Sequence, residues 1–228
     1  MSDLLTYALD GRIATITLDD GKVNAQSIAM LNELHSAFDQ AERDNAVVIL
    51  AGREKYFSAG FDLKVFTNEP EKVGEMLTLG ATLYERMLSF PTPIVASCRG
   101  HALAAGAFLL MAADIRVAAD GPFQIGLTEV KIGLTVPWFA IEIARHRLHP
   151  SHFDQAVICS TIYSPQDAIA PGFLDRVVPA EELETATREV AERLEGLNAE
   201  AHAATKLRAR GAALKALRQG IESELTPA

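Results

Sequence analysis

One carboxylate interrupts an otherwise apolar stretch. FQIGLTEVKIGLTVP, residues 123–137, is built mainly of Ile, Leu, Val, Phe and Gly, yet it holds Glu129. Such a carboxylate has two uses. It can be structural, capping a helix or pairing with a cation; Lys131, two residues on, would share its face in an extended segment. Or it can sit in a dry pocket as an acid–base group. Two further stretches carry chemistry of their own. FSAGFDL (57–63) and GHALAAGA (100–107) each follow a buried-strand signal with small residues and glycine. Small residues let a ligand approach the backbone closely, and N–H groups at a helix start point outward unpaired. Two N–H donors converging from separate loops would form an oxyanion hole, where one donor contributes about 3–4 kcal/mol of transition-state stabilisation. Either loop alone reads as a tight strand-to-helix turn. The pair is more specific.

The elements that must position these residues follow from periodicity. LLTYAL and RIATITL flank Asp10-Gly11, a hairpin signal. SIAMLNELHSAFDQAERD switches to helical spacing, with Leu31, Leu34, Phe38 and Ala41 on one face and Ser27 as N-cap. AVVILA (46–51) and PIVASC (93–98) are apolar runs of strand length, as expected for strands buried on both faces. GREKYFSAGFDLK (52–64) breaks the pattern and reads as a loop. A helix is expected over 70–89, with Met76, Leu79, Leu83 and Met87 along one stripe. RGHALAAGAF leads into an apolar helix, LLMAAD, and DIRVAA (114–119) returns to a strand. Pro137 opens a helix over WFAIEIARHRL, and Ser164-Pro165-Gln166-Asp167 looks like an N-cap with proline at the first helical position. LDRVVP is a last short strand, and residues 180–219 have helical spacing. The fold class is α/β: an alternating core over 1–150, then a mostly helical region over 151–228.

Composition narrows the function. With 228 residues, 49% of them hydrophobic, the chain suits one sizeable domain. A net charge of -9 argues against nucleic-acid binding, which needs clustered cations. Cys98 and Cys159 both lie in apolar stretches and read as buried free thiols, not as a disulfide or metal site. MSDLLTYALDGR has no basic region followed by an apolar core, and no uncharged apolar run reaches membrane-spanning length. The expectation is a cytoplasmic protein that uses neither metal nor membrane.

FSAGFDLK, GHALAAGA, ADIRVAAD and IGLTEVKIGL, in that order and followed by SPQDAIAPGFLDRVVP, resemble the crotonase (enoyl-CoA hydratase/isomerase) superfamily over residues 4–205. The resemblance implies a (ClpP-like) spiral of repeated ββα units with C-terminal helices that pack on neighbouring subunits, in a homotrimer or dimer of trimers. It implies binding of an acyl-CoA thioester and stabilisation of its enolate, with coenzyme A as the carrier part of the substrate and no other cofactor. Carried over residue by residue, the oxyanion donors fall on the N–H groups of Phe61 and Ala105. Ala59, Gly60, Phe61, Asp62 and Leu63 would line the adenine and pantetheine path. Lys22, Val23, Asn24 and Ala25 match the family's first coenzyme-A-contacting segment. The family's paired glycines are replaced here by Ala104, Ala105 and Gly106, and alanine keeps the N–H.

The family's hydratases use two glutamates to hold and activate water. Here the second position is Glu129, but the first is Phe108, which can neither orient water nor relay a proton. One carboxylate suits an allylic isomerisation, in which the same group removes a proton at C2 and returns it at C4. IGLTEVKIGLTVPWF is similar to the single-glutamate Δ3,Δ2-enoyl-CoA isomerase branch. Hydration, another crotonase-type lyase or hydrolase reaction, and a non-catalytic binding protein of the same fold are the alternatives. Trp138 and Phe139 would line the acyl pocket, or would simply pack in the core. His101 reads as structural, and Asp62 and Asp114 as helix caps or partners of arginines such as Arg116. Lys64, Lys206 and Arg208 are candidates for coenzyme A phosphates, with a solvated basic face as the alternative.

Overall fold

The computed structural model describes residues 4–225; residues 1–3 and 226–228, the ends of MSDLLTYALDGR and RQGIESELTPA, lie outside the described residues. Strands β1 (Leu5–Asp10) and β2 (Ile13–Leu18) pair antiparallel with Asp10 opposite Ile13. The connecting residues are therefore Gly11 and Arg12, one position later than the sequence signal, and Gly11 supplies a φ of 60°. After the two-residue strand β3 (Ala25–Gln26), helix α1 (Ile28–Arg43) starts at Ser27, whose Oγ accepts the Met30 N–H at 3.2 Å. Leu31, Leu34, Phe38 and Ala41 are buried, as their spacing requires.

A repeated pattern then begins. Strand β4 (Val47–Ala51) is followed by β5 (Lys55–Ser58), β6 (Gly60–Phe61) and two helices, α2 (Leu63–Asn68) and α3 (Val73–Ser89). Strand β7 (Ile94–Cys98) is followed by β8 (Gly100–Leu103) and α4 (Ala105–Ala112). Strand β9 (Ile115–Ala119) is followed by β10 (Ile125–Gly126), one 3-10 turn and α5 (Trp138–Arg147). The region expected as a loop, 52–64, thus holds two short strands, because partners far away in sequence complete their hydrogen bonding. These ββα units wind into a crotonase spiral. After α6 (Pro150–Val157), strand β11 (Arg176–Val178) closes a six-stranded sheet of order β1-β2-β4-β7-β9-β11, parallel except for β1. The short strands form separate sheets, β10-β8-β5 and β3-β6. The expected helix at Ser164 is a turn only. Ser164 Oγ does accept the Asp167 N–H, but Pro171 and Gly172 end the run before a helix can propagate.

The large sheet is buried on both faces. Val48 and Leu50 point into the main core, while Val47 and Ile49 meet Leu183, Ala186 and Val190 of α7 (Leu183–Glu195). The last helix, α8 (Ala199–Leu225), runs back along α3 and α5. Lys206 Nζ and an Arg210 guanidinium nitrogen each lie 2.7 Å from the Asp114 carboxylate, and Arg210 also donates to the Leu88 carbonyl. Asp114 thus has an arginine partner, as expected of it, but that partner is Arg210 and not the candidate Arg116, which pairs with Asp175.

Candidate active site

The two loops meet. Strand β3 pairs with β6 so that Ala25 faces Gly60 and Gln26 faces Phe61. Gly60 carries φ +98 and lies against the start of α4: a Cβ placed on it would sit 2.9 Å from the Ala105 nitrogen. The Phe61 N–H belongs to the next residue, so the two expected donors stand on backbones in van der Waals contact. Gly106 is equally constrained, since a Cβ there would come within 2.1 Å of the Ser58 carbonyl oxygen. Ala105 opens α4, where backbone N–H groups have no intrahelical acceptor. Ala104 before it adopts φ 50° and ψ -126°, a region that favours glycine and strains alanine. The expected donor N–H is thus present without a glycine beside it, at a conformational cost.

Glu129 arrives beside this junction by a third route. Strand β10 pairs with β8, placing Gly126 opposite Leu103, and the Ala104 N–H donates to the Gly126 carbonyl at 3.0 Å. Three residues later Glu129 precedes the 3-10 turn Val130–Ile132. It is 7% exposed, and its Oε2 has no hydrogen-bond partner among the described residues. Burial pushes its carboxyl up to about 7, with backbone hydrogen bonds at Glu129 and Thr128 pulling the other way. Lys131 is exposed and makes no ion pair with it among the described residues, because the segment turns at Glu129 instead of staying extended. Just beyond Glu129 the stretch comes to the surface, with Val130, Ile132 and Leu134 facing outward, before Val136 turns back into the core.

The surroundings are aromatic. Phe108 on α4 is 1% exposed and its ring centroid lies 6.4 Å from that of Tyr84. Phe139 lies at the same distance from Tyr84 on another side. Tyr84 itself is fully buried, and its hydroxyl is raised by burial and further by the charge of Glu129, which places the two groups in one electrostatic environment. Phe61 turns its ring onto Gly80 of α3, where a Cβ would come within 2.6 Å of it. Sequence reasoning passed over Tyr84. A tyrosine inside an apolar helical stripe signals a buried hydroxyl in need of a partner.

The remaining candidates divide. Lys22, Val23 and Ala25 line one side of a cavity of about 270 Å³, and Asp62 and Lys64 line the other. The Ala59 N–H donates to the Val23 carbonyl at 3.0 Å, so the two segments expected on a coenzyme A path do run together. Asn24 is not available to a ligand: its amide donates to the carbonyls of Leu18, Tyr56 and Phe57 from a buried position. Asp62 caps α2 by accepting the Lys64 N–H, and Leu63 is exposed. Lys206 is buried against Asp114 and cannot meet a phosphate, whereas Arg208 is exposed. Trp138 is 61% exposed and packs against Gly220 of α8, so it lies on the surface and not in the core. His101 is structural as expected, its Nδ1 accepting the Gln124 N–H. Cys98 is a buried thiol pushed up to about 12, while Cys159 is exposed, contrary to its apolar sequence setting. Among the described residues there is no cluster of His, Cys, Asp or Glu able to hold a metal, and no helix is long and apolar enough to cross a membrane.

Known proteins with this pattern are numerous. The family model described as enoyl-CoA hydratase/isomerase matches residues 9–226. An enoyl-CoA hydratase/isomerase family protein from Pseudomonas syringae is 47% identical, with a TM-score of 0.96 over 98% of this chain and 97% of that one. A Mycobacterium tuberculosis structure described as an enoyl-CoA isomerase is 43% identical, with a TM-score of 0.93 over 98% of each chain. A probable enoyl-CoA hydratase of Bacillus subtilis is 39% identical over 142 residues, covering 60% of this chain and 54% of its own. Mouse mitochondrial enoyl-CoA delta isomerase 1 is 28% identical over 183 residues, covering 78% of this chain and 63% of its own. The chain thus spans between half and two thirds of the length of these two curated relatives.

Proposed function

Because the chain belongs to the enoyl-CoA hydratase/isomerase family, we propose that it isomerises a Δ3-enoyl-CoA thioester to the Δ2 form, with Glu129 carrying the proton. The observation that carries this reading is the buried Glu129 carboxylate, whose Oε2 has no hydrogen-bond partner among the described residues, with Phe108, not a second acid, at the other position. The names of relatives do not choose between isomerase and hydratase, since both occur among them. The single carboxylate is what favours the isomerase reading.

In the proposed mechanism the thioester carbonyl oxygen lies between the N–H groups of Phe61 and Ala105. Ionised Glu129 takes the proton from C2, and the electron pair moves onto the thioester oxygen as an enolate conjugated with the former Δ3 bond. The two N–H donors hold that negative charge. Protonated Glu129 then returns the proton at C4, and the double bond is left at Δ2. A carboxyl near 7 suits both steps, because neither its acid nor its base form is far from reach at neutral pH. Phe108, Tyr84 and Phe139 keep water from quenching the enolate. The groove between Lys22–Ala25 and Asp62–Lys64 is where the coenzyme A portion would run. Assembly into a homotrimer or dimer of trimers is part of the proposal, supported by the outward-facing Val130, Ile132, Leu134 and Ile158.

The test is a product partition. Given a 3-enoyl-CoA, the protein should form the 2-enoyl thioester with little 3-hydroxyacyl product, and crotonyl-CoA should remain largely unhydrated. Rapid water addition to crotonyl-CoA would overturn the isomerase reading.

A further inference from the structure

Beneath the two donor loops runs a connected chain of buried polar side chains whose hydrogen bonds the proposed reaction does not use. The Tyr84 hydroxyl donates to Gln26 Oε1 at 2.5 Å and lies 3.3 Å from the Ala105 carbonyl oxygen. Gln26 donates through Nε2 to Ser58 Oγ at 3.4 Å. Ser58 Oγ in turn accepts the Gly60 N–H at 3.2 Å and donates to the Asn24 carbonyl at 2.7 Å. Gln26, Ser58 and Tyr84 are all buried.

The placement of this chain is its meaning. One end holds the peptide just before the Phe61 donor, and the other touches the carbonyl of Ala105, the residue that supplies the second donor. Five elements meet in it: β3, β5, β6, α3 and α4. Packing alone does not call for it, since the Tyr84 ring already fits among Phe108 and Phe139 and a phenylalanine would fill the same volume. Burying a hydroxyl, an amide and a second hydroxyl is unfavourable unless each is bonded, and a satisfied network fixes its members rigidly.

We propose that Tyr84, acting through Gln26 and Ser58, is a positioning residue that sets the separation and aim of the Phe61 and Ala105 N–H donors. Its hydroxyl is taken up within the protein, by Gln26 Oε1 and the Ala105 carbonyl. Its effect is largest at the transition state, because an oxyanion depends on donor placement more steeply than a neutral carbonyl, which the donors still polarise. The inference rests on the oxyanion reading above.

The experiment uses a conjugated thioester, 2,4-hexadienoyl-CoA, whose ultraviolet band moves to longer wavelength when its carbonyl is polarised. Wild type, Tyr84→Phe and Ser58→Ala are compared for this shift and for kcat and KM on a 3-enoyl-CoA. The expected result is a smaller red shift in both variants, kcat lower by about 10- to 100-fold and KM within about twofold. The double variant should lose little more than either single one, since both cut the same chain. Ser58→Ala keeps the test open if Tyr84→Phe folds poorly. A full red shift and wild-type kcat in the two single variants would overturn the positioning role while leaving the oxyanion site intact. If bound ligand shows no red shift even in the wild type, the oxyanion reading itself falls, and the positioning role falls with it.

Discussion

Glu129 carries a cost as well as its proposed function. Its folded carboxyl sits at about 7 against 4.5 in the unfolded chain, so the folded protein binds the proton more tightly between those values. The stability contributed by the protonated form is fully present below 4.5 and is lost as pH rises through about 7. Above that, keeping the buried group ionised costs on the order of 3 kcal/mol. Glu129→Gln should therefore raise the melting temperature at pH 8 and change it little at pH 5. With Glu129 as the proposed base, kcat/KM should fall below pH 7 as it is protonated. Thermal melts and a rate profile across this range check both signs. The candidate base was legible in the sequence because a lone carboxylate in an apolar run needs a reason. Tyr84, Gln26 and Ser58 were not, because a polar residue buried with its partner looks like any other until the partner, as far as 58 positions away, is known.

At the scale of elements, the donor loops depend on contacts too close for a side chain. Gly106→Ala would drive a Cβ to 2.1 Å from the Ser58 carbonyl, so α4 must move away from β5. The expected outcome is a folded but less stable protein with kcat reduced by about 100-fold or more and thioester binding far less affected, read from steady-state kinetics beside binding measurements. The strands and helices of the main sheet were readable from apolar runs such as AVVILA and PIVASC. The short strands β5, β6 and β10 were not, since two to four residues carry no usable periodicity and their pairing comes from distant segments. The stretch after Glu129 misleads for a related reason. Its apolar residues suggest burial, but a turn at Glu129 sends Val130, Ile132 and Leu134 to the surface.

For the whole molecule, the long helix α8 is fixed to the sheet by the triad of Asp114, Lys206 and Arg210. Burial alone would raise the Asp114 carboxyl, but Lys206 and Arg210 overcome it and hold the group below its ordinary value. Burial brings Lys206 itself down to about 8. Asp114→Asn would leave two buried cations without their counter-charge and should destabilise the fold by about 3–5 kcal/mol, measurable by urea denaturation. This triad joins residues 92 positions apart, which is why the sequence suggested Arg116 for Asp114 and coenzyme A for Lys206. Helix, sheet and triad together hold the proposed arrangement: two backbone donors and one carboxylate in an aromatic enclosure. The most direct test of that arrangement is turnover of a 3-enoyl-CoA by Glu129→Gln, measured beside its affinity for the thioester. The account predicts a loss of at least about 100-fold in kcat with affinity nearly unchanged. A Glu129→Gln protein that still moves the double bond at close to the wild-type rate would contradict it.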